Sequence, residues 1–234
     1  MKIGLALFPG LCQLDMTGPH EVMARYPGAE VSVVAATMQA VTTDRGLTIR
    51  PDAKLWSAPQ FDIFVMPGGP GQQALMEDEV WREFLVEQAQ GAQVMMGVCT
   101  GSLVLGAAGL LKGYRATTHW GCHDLLALLG AKPAAERVVI DRDRVTAAGV
   151  TSGIDGALAL AAHLFGREVA ERIQLGMEYA PAPPTTAGHP DTAPAALVAG
   201  MREKGAGLYA ARREACMAAA ARLGLAAPET EESA

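Results

Sequence analysis

Val94-Met95-Met96-Gly97-Val98-Cys99-Thr100-Gly101-Ser102 carries an apolar run into G-x-C-x-G and on into the small, apolar stretch Gly101 to Leu111. The pattern is a strand, a sharp turn and a buried helix, with a cysteine at the apex: a nucleophile elbow in its cysteine form. Glycine on either side of the apex lets the backbone pass closely through such a turn. The turn sets Cys99 at the carboxyl end of a sheet, where open α/β folds bind ligands. The helix N-terminus that follows is expected to favour negative charge and so to lower the thiol's pKa. Its free amides are expected to hold a developing anion. A buried cysteine at a tight turn is the plain alternative. The two glycines, the strand before and the helix after favour the catalytic reading.

Outward from the elbow, strands alternate with helices. Lys2 to Phe8, Val31 to Ala36, Phe61 to Met66 and Gln93 to Val98 are short apolar runs that read as buried strands, and Gly46 to Arg50 is a weaker candidate. Helices are expected at Pro19 to Arg25, with proline near the first turn, and at Glu77 to Gln90, with Val80, Phe84 and Leu85 on one face. Further helices are read at Cys122 to Leu129, Gly153 to Phe165, Arg167 to Gly176 and Met201 to Leu223. Arg137 to Ala148 reads as a hairpin turning at Asp141-Arg142-Asp143. The alternation predicts an α/β fold with a mostly parallel sheet covered on both faces. Residues 1–180 form the expected catalytic domain. Residues 181–234, a Pro-rich arm and a helical extension, belong to the same domain, and Pro228 to Ala234 reads as disordered.

Composition narrows the function classes. Half of the 234 residues are apolar, enough for a sizeable core, and aromatics are scarce. A net charge of −6 with no basic block argues against nucleic acid. No apolar run approaches the roughly 20 residues that span a membrane. Pro9-Gly10 stops the first apolar run too early for a signal peptide, so the protein reads as cytoplasmic. The four cysteines, Cys12, Cys99, Cys122 and Cys216, form no C-x-x-C pair and are expected to be free thiols. No His, Asp, Glu and Cys set has metal-ligand spacing, and no cofactor is implied.

Three further features lie near the carboxyl edge. Pro67-Gly68-Gly69-Pro70-Gly71 follows a strand without P-loop or G-x-G-x-x-G spacing. It reads equally as an oxyanion-type pocket, through Gly69 and Gly71, and as a plain βα turn. Leu14-Asp15-Met16-Thr17-Gly18-Pro19 places one carboxylate in an apolar loop after the first strand. Partial desolvation there would raise its pKa and suit it to general acid–base work. From spacing alone, a turn or N-cap aspartate is the simpler reading. Thr117-Thr118-His119-Trp120 offers a histidine 20 residues after Cys99, either as a Cys–His partner or as a half-buried ring beside tryptophan.

Together these residues resemble the ThiJ/PfpI superfamily, which is class I glutamine amidotransferase-like, and most closely its isocyanide hydratase branch. The matching pieces are Leu14 to Val22, Pro67 to Gly71, Gly97 to Ser102, Ala116 to Trp120, Gly149 to Asp155 and Ile173 to Leu175. Aspartate at position 15 and threonine directly after Cys99 point to that branch. The resemblance implies a flavodoxin-like fold, a homodimer and an isocyanide as substrate. It implies Cys99 as nucleophile, Asp15 as the carboxyl that shuttles protons and Thr100 as an assisting hydroxyl. Protease-like members carry histidine where this chain has Thr100, which argues against a peptidase. Gly69, Gly71, Val150 and His119 would line the substrate and oxyanion pocket. AraC-like regulators share the core but continue into a long helix-turn-helix region, for which the about 55 residues after Tyr179 are too few. The rival readings are a glyoxalase or deglycase using the same cysteine, and a redox sensor whose cysteine is oxidised.

Overall fold

A computed structural model of the protein describes residues 1–225. Seven strands form the central sheet: β1 (Lys2–Ala6), β2 (Glu30–Ala35), β3 (Ala53–Lys54), β4 (Ile63–Met66), β5 (Val94–Val98), β6 (Val138–Asp141) and β7 (Arg144–Ala147). Their order across the sheet is β6-β7-β5-β4-β1-β2-β3, and every neighbouring pair is parallel except the β6–β7 hairpin. Val33, Leu5, Val65, Met96 and Val145 form one register row across the five central strands. Because the row is level, β1, β4, β5 and β7 end together. The segments 7–12, 67–71, 99–100 and 148–151 therefore leave the sheet at one edge.

Side chains alternate along each strand, and this alternation sorts the helices. A Cβ built on Gly156 would lie 2.8 Å from Met96 Cε, and one on Gly153 3.1 Å from Val98 Cγ1. Helix α6 (Ser152–Phe165) thus covers the face bearing Met96 and Val98, beside α1 (Gln13–Met23), whose Pro19 ring meets Gly153. The intervening Gly97 faces the other way, 2.8 Å from Ser102 by the same measure, so α4 (Gly101–Ala107) covers the opposite face. There α2 (Gln72–Glu77), α3 (Glu79–Gly91) and α5 (Leu125–Leu128) extend the layer. The last two helices are α7 (Arg167–Gly176), which follows α6, and α8 (Ala195–Arg222), which packs back on α2, α4 and α5. Small residues on α4 and α6 allow the helices to sit close to the sheet. Packing at interior density then fills the core with few aromatics.

Several local expectations shift. The first helix starts at Gln13, not Pro19. Pro19 removes one backbone donor, but its ring fills the space beside Gly153 and the helix runs through it. On α3, Asp78 accepts the Trp81 N–H at 3.1 Å, which sets the helix phase. Trp81, Phe84, Leu85 and Gln88 face inward, and Val80 points to solvent. Gly46 to Arg50 contributes only Thr48–Ile49, paired with Val41–Thr42 outside the main sheet. The Arg137 to Ala148 hairpin turns where expected, with Arg142 at φ 56°. The final helix begins at Ala195 rather than Met201. The expectation for Pro228 to Ala234 lies outside the described residues.

Candidate active site

The elbow forms because β5 ends against two neighbours that fix its last residues. The Cys99 N–H donates to Ala147 O at 2.9 Å, and its carbonyl accepts from Thr118 Oγ1 at 2.7 Å. Between these ties Cys99 takes φ 53°, a left-handed conformation costly for a side chain and often stored at functional sites. The chain then folds back so tightly that a Cβ on Gly101 would lie 2.0 Å from Met66 O. Only glycine fits there. Both glycines of the G-x-C-x-G run are thus required by close approach, Gly97 to α4 and Gly101 to the end of β4.

Asp15 enters from the first turn of α1 and is fully buried. The Gly68 N–H donates to its Oδ2 at 2.9 Å, whereas Oδ1 has no partner. The thiols of Cys99 and Cys12 both lie against this carboxyl, yet neither closes a full hydrogen bond to Oδ1. Burial pushes the Asp15 pKa up to about 7, with the Gly68 amide opposing the shift. Burial and then the Asp15 charge push the Cys99 thiol well above its ordinary value, against the Thr100 amide and the Arg212 guanidinium. The expected lowering by the helix N-terminus is therefore corrected. The amide acts in the foreseen direction, but desolvation outweighs it. At neutral pH the Cys99 thiol keeps its proton beside a carboxyl that is only partly ionised. Cys12 is pushed up to about 11 by the same two influences in the same order.

The glycine turn holds this machinery in place. Gly69 N–H donates to Thr100 Oγ1 at 3.2 Å, and Gly71 N–H donates to Gly10 O at 3.1 Å. The amides of Gly68, Gly69 and Gly71 are thus engaged by the acid, the hydroxyl and the neighbouring loop, and the turn orients Asp15 and Thr100 rather than offering open anion donors. Gly69 itself sits at φ +122°, with Cys12 N only 2.2 Å from a built Cβ. Val150, half-buried, lies in the segment between β7 and α6, next to Gly149, which faces the His119 ring. His119 accepts the Gly121 N–H on Nδ1 at 3.2 Å and lies tilted against Trp120. Burial, then Arg212, lowers its pKa, so the ring is neutral with its proton on Nε2. Among the described residues it makes no hydrogen bond to Cys99.

Arg212 was not singled out from the sequence. It projects from α8 into the interior, where Nη2 donates to Gly69 O at 3.3 Å and Nη1 to Cys122 Sγ at 3.6 Å. Its sequence signal is slight: with Ala215, Cys216 and Ala219 it completes an i, i+3, i+4, i+7 stripe, and the stripe is the buried face of α8. Among the described residues no group of three or more His, Cys, Asp or Glu side chains could hold a metal ion. No described helix is long and apolar enough to cross a membrane.

Comparison with known proteins agrees with this geometry. The chain is 48% identical over 225 residues to an isonitrile hydratase from Pseudomonas putida, covering 96% of this chain and 99% of that one. A crystal structure of a ThiJ/PfpI family protein from Pseudomonas syringae superposes with a TM-score of 0.88 at 41% identity, over 94% of this chain and 90% of that one. A glutathione-independent glyoxalase from Caenorhabditis elegans is 31% identical over 67% of this chain and 84% of its own. The family model described as DJ-1/PfpI matches residues 1–163. With its parallel sheet, its cysteine elbow and this match over most of its length, the chain belongs to the DJ-1/PfpI family.

Proposed function

We propose that the protein is an isocyanide hydratase, adding water to an isocyanide to give an N-substituted formamide, with Cys99 as nucleophile, Asp15 as proton carrier and Thr100 assisting. The observation that carries this reading is the free Oδ1 of a buried Asp15 beside the Cys99 thiol, in a chain alike over nearly its whole length to an isonitrile hydratase. A terminal isocyanide carbon must gain both a nucleophile and a proton, and a thiol beside a carboxylate with one free oxygen supplies both. Cys99 Sγ bonds to that carbon while its proton passes to Asp15 Oδ1 and on to the same carbon. The product of this step is a thioimidate, R–N=CH–S–Cys99. Asp15, again a carboxylate, takes a proton from water as the water oxygen bonds to the carbon, and delivers it to nitrogen. The C–S bond then breaks, the sulfur receives the remaining hydroxyl proton, and R–NH–CHO leaves. A group that gives and takes a proton in one cycle works best with a pKa near working pH, which matches Asp15.

In this reading Thr100 Oγ1, which accepts the Gly69 N–H, holds the water, and His119 and Val150 belong to the substrate pocket. Burial of Cys99 with its raised pKa speaks against a peroxide-sensing role, because oxidation selects exposed thiolates. The test is a side-by-side assay of one alkyl isocyanide and methylglyoxal. Formamide production with negligible loss of methylglyoxal supports the hydratase. The reverse preference makes the protein a glyoxalase.

Residues 181–234 belong with the catalytic domain in this reading, supported by the packing of α8 on α2, α4 and α5. The reading also carries a cytoplasmic homodimer with no nucleic-acid or membrane partner. Exposed Leu175 on α7 and Leu197 on α8 support an interface there. Light scattering at micromolar concentration should return twice the 24.4 kDa chain mass. A monomer mass would contradict it.

A further inference from the structure

A cavity of about 720 Å³ lies between α8 and the segment His119 to Asp124. Its volume falls in the range of small-molecule sites, roughly 300–1,000 Å³. Trp120, Met201 and Leu208 supply apolar surface, and exposed Arg202 stands over the Trp120 ring with Cζ 6.0 Å from its centroid. Toward the interior the lining is His119 and Arg212, the latter only 9% exposed. The wall stops short of Cys99, Asp15 and Thr100, and its inner end is tied to the elbow through two neighbours. Arg212 holds Gly69 O, and Gly69 N–H holds Thr100 Oγ1. Thr118, next to His119, holds the Cys99 carbonyl.

Arg212 is under-satisfied where it stands. A guanidinium has five N–H donors. The two bonds made here are long, to a carbonyl and to a thiol sulfur, and buried Nε has no partner. No carboxylate among the described residues pairs with Arg212 or Arg202. The one acid on the cavity wall, Asp124, takes a hydrogen bond from the Tyr209 hydroxyl. Cys122 is no counter-ion either, because burial raises its pKa and keeps it a thiol. A buried cation is costly unless paired, and a guanidinium fork matches a carboxylate in bidentate fashion.

We propose that this cavity receives the substituent of the isocyanide and that Arg212 binds a carboxylate on it, making the preferred substrates 2-isocyano carboxylates with an apolar or aromatic side chain. The proposal rests on the hydratase reading. The order of groups follows from the lining: Arg212 is the cationic group nearest the elbow, so the carboxylate sits close to the reacting isocyano carbon. The apolar side chain then extends toward Trp120 and Met201, and Arg202 at the mouth adds favourable charge.

The test compares 2-isocyano-3-phenylpropanoate with 1-phenylpropan-2-yl isocyanide, in which a methyl replaces the carboxylate. Wild-type kcat/KM should favour the carboxylate by about tenfold or more, the worth of one charge-assisted pair. N-formylphenylalanine should inhibit competitively, and more tightly than the matching neutral formamide. Arg212→Gln should cut the carboxylate-to-neutral ratio by about tenfold, whatever its effect on either rate alone, and Arg202→Gln should cut it less. Equal wild-type kcat/KM for the two isocyanides would overturn this proposal and leave the hydratase reading standing. Hydration of neither would overturn both. If Arg212→Gln does not fold, the wild-type ratio and Arg202→Gln still decide.

Discussion

Cys99→Ala should abolish isocyanide turnover, a loss of roughly 10⁴-fold or more, while the protein stays folded. The size of the loss follows from the chemistry. Without sulfur no thioimidate forms, and neither Asp15 nor Thr100 offers a nucleophile that replaces it. The intact fold follows from the elbow's construction. The strained φ of 53° is held by backbone ties to Ala147 and Thr118, and alanine keeps both. Losing one buried sulfur should move the melting temperature by no more than about 4 °C. Cys216→Ala is the control: Cys216 is buried on α8 against Cys122 and Arg212, away from Asp15, and should keep most of the rate. Substantial turnover by Cys99→Ala, or loss of turnover in a folded Cys216→Ala, would place the nucleophile elsewhere.

Asp15→Asn should lower turnover by about 10² to 10⁴-fold, the usual worth of a general acid–base. The amide keeps an oxygen for the Gly68 N–H but cannot relay a proton. Asp15→Glu keeps the carboxyl and displaces it, and a displacement of roughly 1 Å can itself cost about 10²-fold. The pH profile separates the two defects. Asp15 must be ionised to receive the Cys99 proton. Wild-type kcat/KM should therefore fall as pH drops through about 7, the value to which burial pushes Asp15. That limb should vanish in Asp15→Asn and persist in Asp15→Glu.

Stability should move in the opposite sense to activity. The Asp15 pKa rises from 3.8 to about 7 on folding, so its contribution is fully present below pH 3.8 and is lost as pH climbs through 7. At neutral pH the ionised carboxylate weakens the fold, and Asp15→Asn should melt no lower than wild type. A clear drop in melting temperature with near-normal turnover would make Asp15 a structural residue and return attention to His119.

The fold was legible because its signals are local. Apolar runs ended by Pro-Gly mark the buried strands, and the spacing of Gly97, Cys99 and Gly101 is the elbow itself. Thr100 came with it. Asp15 was legible as a residue but not in its setting. Pro19 suggested a helix start, and only the packing of its ring on Gly153, distant in sequence, shows why the helix runs through it and carries Asp15 inward. The direction of the Cys99 shift is hidden in the sequence for a related reason. A helix N-terminus shows in the sequence, whereas the burial that outweighs it is a sum over many distant residues. The roles of Gly69 and Gly71 depended on which acceptor each amide meets, and these are Thr100 and Gly10. Arg212 is the least legible, since it stands in a helix that reads as an Ala-rich appendage and its partner Gly69 lies 143 residues away.

Covalent hydration at Cys99 can be followed by native mass spectrometry at neutral pH during steady-state turnover. The spectrum should contain a species heavier than the free protein by the whole mass of the isocyanide, mapped to Cys99, decaying as substrate is exhausted and absent from Cys99→Ala. Formamide released by wild-type protein that never carries this adduct, or an adduct mapped to another residue, would contradict it.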